Sequence, residues 1–222
     1  MRLIRLMNGK WVELKDELLA MATTVTSSLA AIGISFYFLL LSSDMILKIP
    51  QNFEGISRKQ VLDDYDRLVR YLISDSKKEF IFEHLATSPQ ASQHFADVHR
   101  IVQIGGRMTL CLLVLAVLLF CYEKKRYQLW RLIPLFKQIL LLIVIMVGLF
   151  LISFPDSFLW LHEIVFTNHN WVFNSKTDPI ILLLDEHFFI KYLMIWLLTV
   201  VILITIIIDV TKNLIKLFVR RR

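Results

Sequence analysis

Four uncharged apolar runs organise the chain: Leu18 to Ser43, Met108 to Tyr122, Ile139 to Phe154 (stopping at Pro155) and Tyr192 to Ile208. A bilayer core takes roughly 20 apolar residues in a helix, with a range of about 17–25. The first and fourth runs reach that length unaided. The second and third reach it with the turns beside them, "IVQIGG" before Arg107 and "IPLF" before Lys137. The pattern predicts four transmembrane helices, at 18–43, 104–122, 135–154 and 190–210, in one integral membrane domain. The first run is about twice the 7–15 apolar residues of a cleaved leader, which favours a retained anchor.

Between the spans lie two larger segments, 44–103 and 155–189. In the first, "SRKQ" from Ser57 to Gln60 has the form of a capping box. Val61, Leu62, Tyr65, Leu68, Val69, Leu72 and Ile73 then recur at helical spacing, with Asp63, Asp64 and Asp66 on or near the opposite face. "EFIFEHL", 79–85, alternates and predicts a short strand. Ser88 caps a helix with Pro89 in its first turn, and that helix continues into the second span. His94, Asp97, Val98 and Ile101 share one of its faces. His99 points roughly 140° away from His94, and Arg107 snorkels to the headgroups.

The second segment, "FLWLHEIVFTNHNWVFNSKTDPIILLLDEHFF", is too polar to cross a bilayer and too apolar for a solvated loop. Its apolar residues, Phe158, Leu159, Trp160, Ile164, Val165, Phe166 and 180–184, belong at the interface or dip into it. Trp160 and Trp171 suit headgroup level. Irregular backbone at that depth requires protein or a wet cavity around it. The expected fold is an all-α membrane protein of four spans with a small extracytoplasmic α/β cap.

Composition agrees: 56% of residues are hydrophobic, against about 45–50% in soluble domains. The net charge of +6 is read as a topology signal. Arg2, Arg5, Lys10, Lys15, Lys124, Lys125, Arg126, Arg131, Lys137, Lys212, Lys216, Arg220, Arg221 and Arg222 crowd three short segments. Both termini are therefore expected in the cytoplasm and both larger segments outside. No basic stripe with interleaved aromatics points to nucleic acid. Cys111 and Cys121 lie ten residues apart in span two, too far for a disulfide, and read as small core residues.

All six histidines, His84, His94, His99, His162, His169 and His187, fall in the two outer segments. The spacing does not suit a metal: "HEIVF" opens like a zinc-protease helix, but Phe166 stands where the second histidine belongs. No G-x-S-x-G elbow, P-loop or dinucleotide fingerprint occurs. Asp178 with Pro179, and "NHN" at 168–170, read most simply as turns. His94 with Asp97 reads either as a surface pair or as an aspartate orienting an imidazole.

"HFADVHR", from His94 to Arg100, resembles the H-x-x-D-V-K/R signature of small four-span bacterial membrane proteins. "LHEIVFTNHNWVFNSKTDPIILLLDEHFF" resembles their second signature, in which N-D-x-W precedes a T-D-P turn and a Phe-Phe ending. The family is that of the lipoprotein intramolecular transacylases of Gram-positive bacteria. The chain departs from its pattern at His169 (for Asp), Asn174 (for Asp) and Asp185 (for Pro).

The resemblance implies transfer of an O-linked acyl chain from the diacylglyceryl group to the α-amino nitrogen of the same N-terminal cysteine, giving a lyso-form lipoprotein. It implies His94 and His162 as catalytic residues. Asp97, Asn168, Trp171, Asp178 and Tyr192 are supporting or substrate-binding candidates. The expected partners are a diacylated lipoprotein and membrane lipids, with no metal and no cofactor, in the bacterial cell membrane at the outer leaflet. Imidazole suits the chemistry, since it gives and takes protons near neutral pH. The rival readings are a non-enzymatic membrane-interaction protein and a histidine-ligated metal or haem protein.

Overall fold

The computed structural model of the chain describes residues 2–50, 53–75 and 78–220, with side chains of 2–11 excepted. Arg221 and Arg222, and the side chains of Arg2, Arg5 and Lys10, lie outside the described residues. Six α-helices are described: α1 (Arg2–Leu41), α2 (Arg58–Ile73), α3 (Pro89–Lys125), α4 (Leu132–Ile152), α5 (Phe154–Val165) and α6 (Glu186–Arg220), with short 3₁₀ turns at Ser43–Met45, Leu129–Arg131 and Pro179–Leu182. Among the described residues, four stretches are long and apolar enough to cross a membrane: Val12–Leu41, Pro89–Lys125, Leu129–Ile152 and Glu186–Arg220. The chain is an all-α membrane protein.

The residues group into two compact units. The first holds Met1–Ser35, Met108–Met146 and Leu198–Arg222, and the second Phe36–Arg107 and Val147–Leu197. In the first unit a side chain on Gly33 would overlap the Thr109 hydroxyl, so glycine permits close approach of α1 and α3 there. Thr23 and Thr24 donate to the Leu19 and Ala20 carbonyls at 2.8 Å, which satisfies their hydroxyls inside the helix. Asp16 is buried and accepts from Arg126 Nη1 at 2.6 Å.

Cys111 and Cys121 are exposed on α3, not in the core as their size suggests. In a span, the outer surface is as apolar as the interior, so hydrophobicity does not separate the two. Leu110 and Leu118 on the same helix are each 63% exposed.

The second unit carries a conventional aromatic and aliphatic core, including Val61, Tyr65, Leu68, Phe80, Phe82, Phe95, Ile180 and Phe188. Its helix starts follow the sequence. Ser57 and Gln60 exchange both bonds of a capping box. Ser88 Oγ accepts from the Ala91 N–H at 3.1 Å at the head of α3.

The expected strand, and with it the α/β character of the cap, is absent from the described residues. Only an isolated bridge, Phe53 to Ile56, is formed. Phe80 and Phe82 do alternate inward, but the next buried residue is Leu85, three positions on, so the alternation breaks there. The backbone bonds that a strand would give to a neighbour go instead to a side chain. Asp64 accepts from the N–H groups of Glu83, His84 and Leu85 at 2.9, 2.9 and 2.8 Å. Asp64 is therefore fully buried, against the sequence expectation that it lies on or near the polar face of α2. A carboxylate with three N–H donors tolerates burial where an unpaired one does not.

Candidate active site

Two imidazoles from separate segments meet in the second unit. His94 projects from the second turn of α3 and is 8% exposed. His162 projects from the last turn of α5 and is half-buried. Their ring centroids are 6.2 Å apart.

Aromatic rings enclose the pair. Phe166 and Phe173 stand 4.7 and 5.4 Å from His94, centroid to centroid. Phe158 and Trp171 stand 4.1 and 5.0 Å from His162. Phe158, His162 and Phe166 recur every fourth residue, so one face of α5 and its exit presents all three. That spacing was the signal in the sequence for the two phenylalanines. Nothing local marked Phe173.

His162 has a fixed tautomer. Its Nδ1 lies 2.8 Å from the Phe158 carbonyl, one turn back. A carbonyl only accepts, so Nδ1 carries the hydrogen and Nε2 holds the lone pair of the neutral ring. Burial pushes the His162 pKa below its ordinary value, outweighing the opposite pull of that carbonyl. The Nδ1 of His94 is buried with no hydrogen-bond partner, an uncommon condition in a folded protein.

Behind the rings, hydrogen bonds lace the two inter-span segments together. Asn168 Nδ2 donates to Asp97 at 2.9 Å, and the Asn170 N–H donates back to Asn168 Oδ1 at 3.0 Å. Gln90 donates to the His169 carbonyl at 3.3 Å. Asp178, 3% exposed, accepts from the Ser88 N–H at 2.7 Å and from Thr177 Oγ1 at 2.7 Å. It holds the start of α3 as well as a turn. Asp97 makes no hydrogen bond to His94; its partner is Asn168.

The histidine pair opens onto a cavity of about 330 Å³, lined among others by Phe36, Tyr65, Leu72, Val102 and Tyr192. The Tyr192 hydroxyl donates to the Phe36 carbonyl at 3.2 Å. The remaining histidines stand elsewhere. His99 stacks on Tyr71 at 4.6 Å and bonds its carbonyl. His84 sits 3.4 Å from Asp64. His169 and His187 are exposed. Among the described residues no three His, Cys, Asp or Glu side chains gather as a metal site would require.

The fold and this pocket define a multi-pass α-helical membrane protein with paired imidazoles in an aromatic-walled, otherwise apolar hollow. The family model described as lipoprotein intramolecular transacylase Lit matches residues 17–189. The chain belongs to that family: it is an acyltransferase that acts on lipoproteins, moving an acyl chain within one substrate molecule.

The chain is also similar in structure to the membrane-integral Lit of Bacillus cereus. One solved form of that protein, carrying a histidine-to-arginine mutation, has a TM-score of 0.78 at 20% identity, covering 97% of this chain and 98% of the other. Another has a TM-score of 0.74 at 21% identity, covering 92% and 97%. At such identity the likeness speaks for the fold. No curated protein matches the sequence.

Proposed function

We propose that His94 and His162 carry the acyl transfer, with the pocket facing the outer leaflet and both termini in the cytoplasm. The observation that carries the reading is the 6.2 Å approach of the two rings above an apolar cavity. The charge pattern supports the orientation: the short segments 123–138 and 212–222 hold five Lys and Arg each, whereas 155–191 has only Lys176 and Lys191 and the nine of 44–107 are spread over a long segment.

The substrate is a diacylglyceryl-modified N-terminal cysteine, and its free α-amino group titrates near 8. His162 Nε2 takes a proton from the ammonium, because the Phe158 carbonyl holds that ring with its lone pair free. The amine nitrogen attacks the ester carbonyl carbon. As the tetrahedral intermediate collapses, the carbon–oxygen bond to the glyceryl group breaks. His94 gives its proton to the departing oxygen and regains one from the attacking nitrogen, which leaves the product amide neutral. His162 releases the ammonium proton to water, so atoms and charge balance over one turnover. The product is an N-acyl, mono-O-acyl lyso-form lipoprotein.

Donor and acceptor belong to one molecule, so holding them in register draws on the roughly 7–11 kcal/mol that orientation supplies. No enzyme nucleophile and no external acyl donor is needed. Trp171 packs on His162, and the Asn168–Asp97 bond fixes its loop to α3. Tyr192 lines the cavity and steadies the chain entering it.

The test incubates the purified protein with a diacylglyceryl lipopeptide and sequences the product by mass spectrometry. The expected result is unchanged total mass with one acyl chain on the amino group. His94→Ala and His162→Ala should abolish transfer; full activity in either removes the mechanism.

A further inference from the structure

The cavity reaches well beyond the reacting groups. On α3, His94, Val98 and Val102 all line it. Two turns and more separate the first from the last, about 12 Å along the helix at 1.5 Å per residue. Val102 lies on the side where α3 runs on into its long apolar stretch. At the same level, Leu72 of α2 is brought alongside by Gln103, whose amide donates to the Leu72 carbonyl at 3.0 Å. Phe36 of α1 and Tyr192 of α6 join there through the bond from the Tyr192 hydroxyl to the Phe36 carbonyl.

The way onward between α1 and α3 is shut. The Tyr37 hydroxyl donates to the Val102 carbonyl. A side chain on Gly105 or Gly106 would come to 3.1 or 3.3 Å from the Tyr37 oxygen, so the glycine pair admits this wedge and little else. Leu72 and Val102 are 8% and 6% exposed.

We propose that this hollow is the bed of the migrating acyl chain, and that Leu72 and Val102 set the longest chain it accepts. The proposal rests on the assignment of the histidine pair as the reacting end. An alkyl chain whose ester carbonyl sits between the rings has an apolar path down the α3 wall and meets Leu72, Val102 and the Tyr37 wedge at its foot. The path is lined by Phe36, Leu68, Val98 and Phe188, with no Asp, Glu, Lys or Arg side chain along it.

Two measurements test the proposal. Lipopeptides bearing two identical octanoyl, dodecanoyl or hexadecanoyl chains are compared as substrates. Leu72→Phe should lower the hexadecanoyl-to-octanoyl rate ratio about tenfold or more, since each methylene kept out of an apolar site costs about fourfold. Val102→Ala should raise that ratio. Ratios unchanged in both variants would overturn the proposal. In the second, a lipopeptide with a photoreactive diazirine at its chain ends is irradiated in the native protein, a readout that needs no turnover. Crosslinks should map to the peptides holding Leu72 and Val102. Crosslinks only elsewhere would overturn the chain bed whether or not transfer occurs, whereas crosslinks there without N-acylation would overturn the histidine assignment alone.

Discussion

The side-chain amide of Asn168 donates a 2.9 Å hydrogen bond to the carboxylate of Asp97. The bond spans 71 residues and ties the loop that supplies Phe166, Trp171 and Phe173 to the helix that supplies His94. A hydrogen bond to a carboxylate contributes about 1.5–3 kcal/mol, and this one joins the loop after α5 to the helix that carries His94.

That pairing predicts non-additive loss. Asn168→Ala and Asp97→Ala should each slow transfer by about tenfold or more, and the double variant little beyond either alone. Single-turnover rates of N-acylation on the four proteins of the cycle read the coupling. Additive losses would separate the two residues.

The proposed histidine roles predict that packing and chemistry come apart. His94→Phe keeps an aromatic ring among Phe95, Phe166 and Phe173 but has no nitrogen to donate or accept. Thermal stability should hold to within a few degrees while the rate of transfer falls by at least about 10²-fold, the lower range for general acid–base catalysis. The paired readouts are a melting curve and the lyso-lipopeptide yield.

The lowered pKa of His162 predicts the acid limb of the pH–rate profile. As the proposed base, His162 must be neutral to accept a proton, and burial disfavours its charged form. Activity of the free enzyme should therefore persist below the ordinary histidine value of about 6.5 and fail only at lower pH. For stability the sign follows from proton uptake. The unfolded ring binds a proton near 6.5 and the folded one only at lower pH, so folding weakens as pH falls through that window and is unaffected by this group above it. Removing the ring with His162→Gln should abolish this part of the pH dependence.

Burial of Asp64 predicts a scaffold defect rather than a catalytic one. Asp64→Ala would leave the N–H groups of Glu83, His84 and Leu85 without their acceptor. With about 1–3 kcal/mol for each unsatisfied buried group, the loss should exceed about 2 kcal/mol. Asp64→Asn keeps one carbonyl oxygen and should cost less. Limited proteolysis between 78 and 88, together with the melting temperature, measures both.

Signals confined to a few neighbouring residues were readable from the sequence alone. The apolar runs demand helices because a bilayer leaves no water to satisfy the backbone. Ser57, Gln60 and Ser88 mark helix starts because capping bonds close within three residues. His94 and His162 stood out through short motifs around each. Contacts between distant segments were decided by the tertiary structure. The alternation at 79–85 reads as a strand, but Asp64, some twenty residues away, takes the N–H groups of Glu83, His84 and Leu85, Thr87 takes that of Phe82, and no strand forms among the described residues. Asp97 has the right spacing for His94, yet its hydrogen-bond partner, Asn168, comes from the other segment. Cys111 and Cys121 show the remaining limit: apolar residues are equally at home against lipid and against protein, so in a span composition gives the helix and only packing gives its inner face.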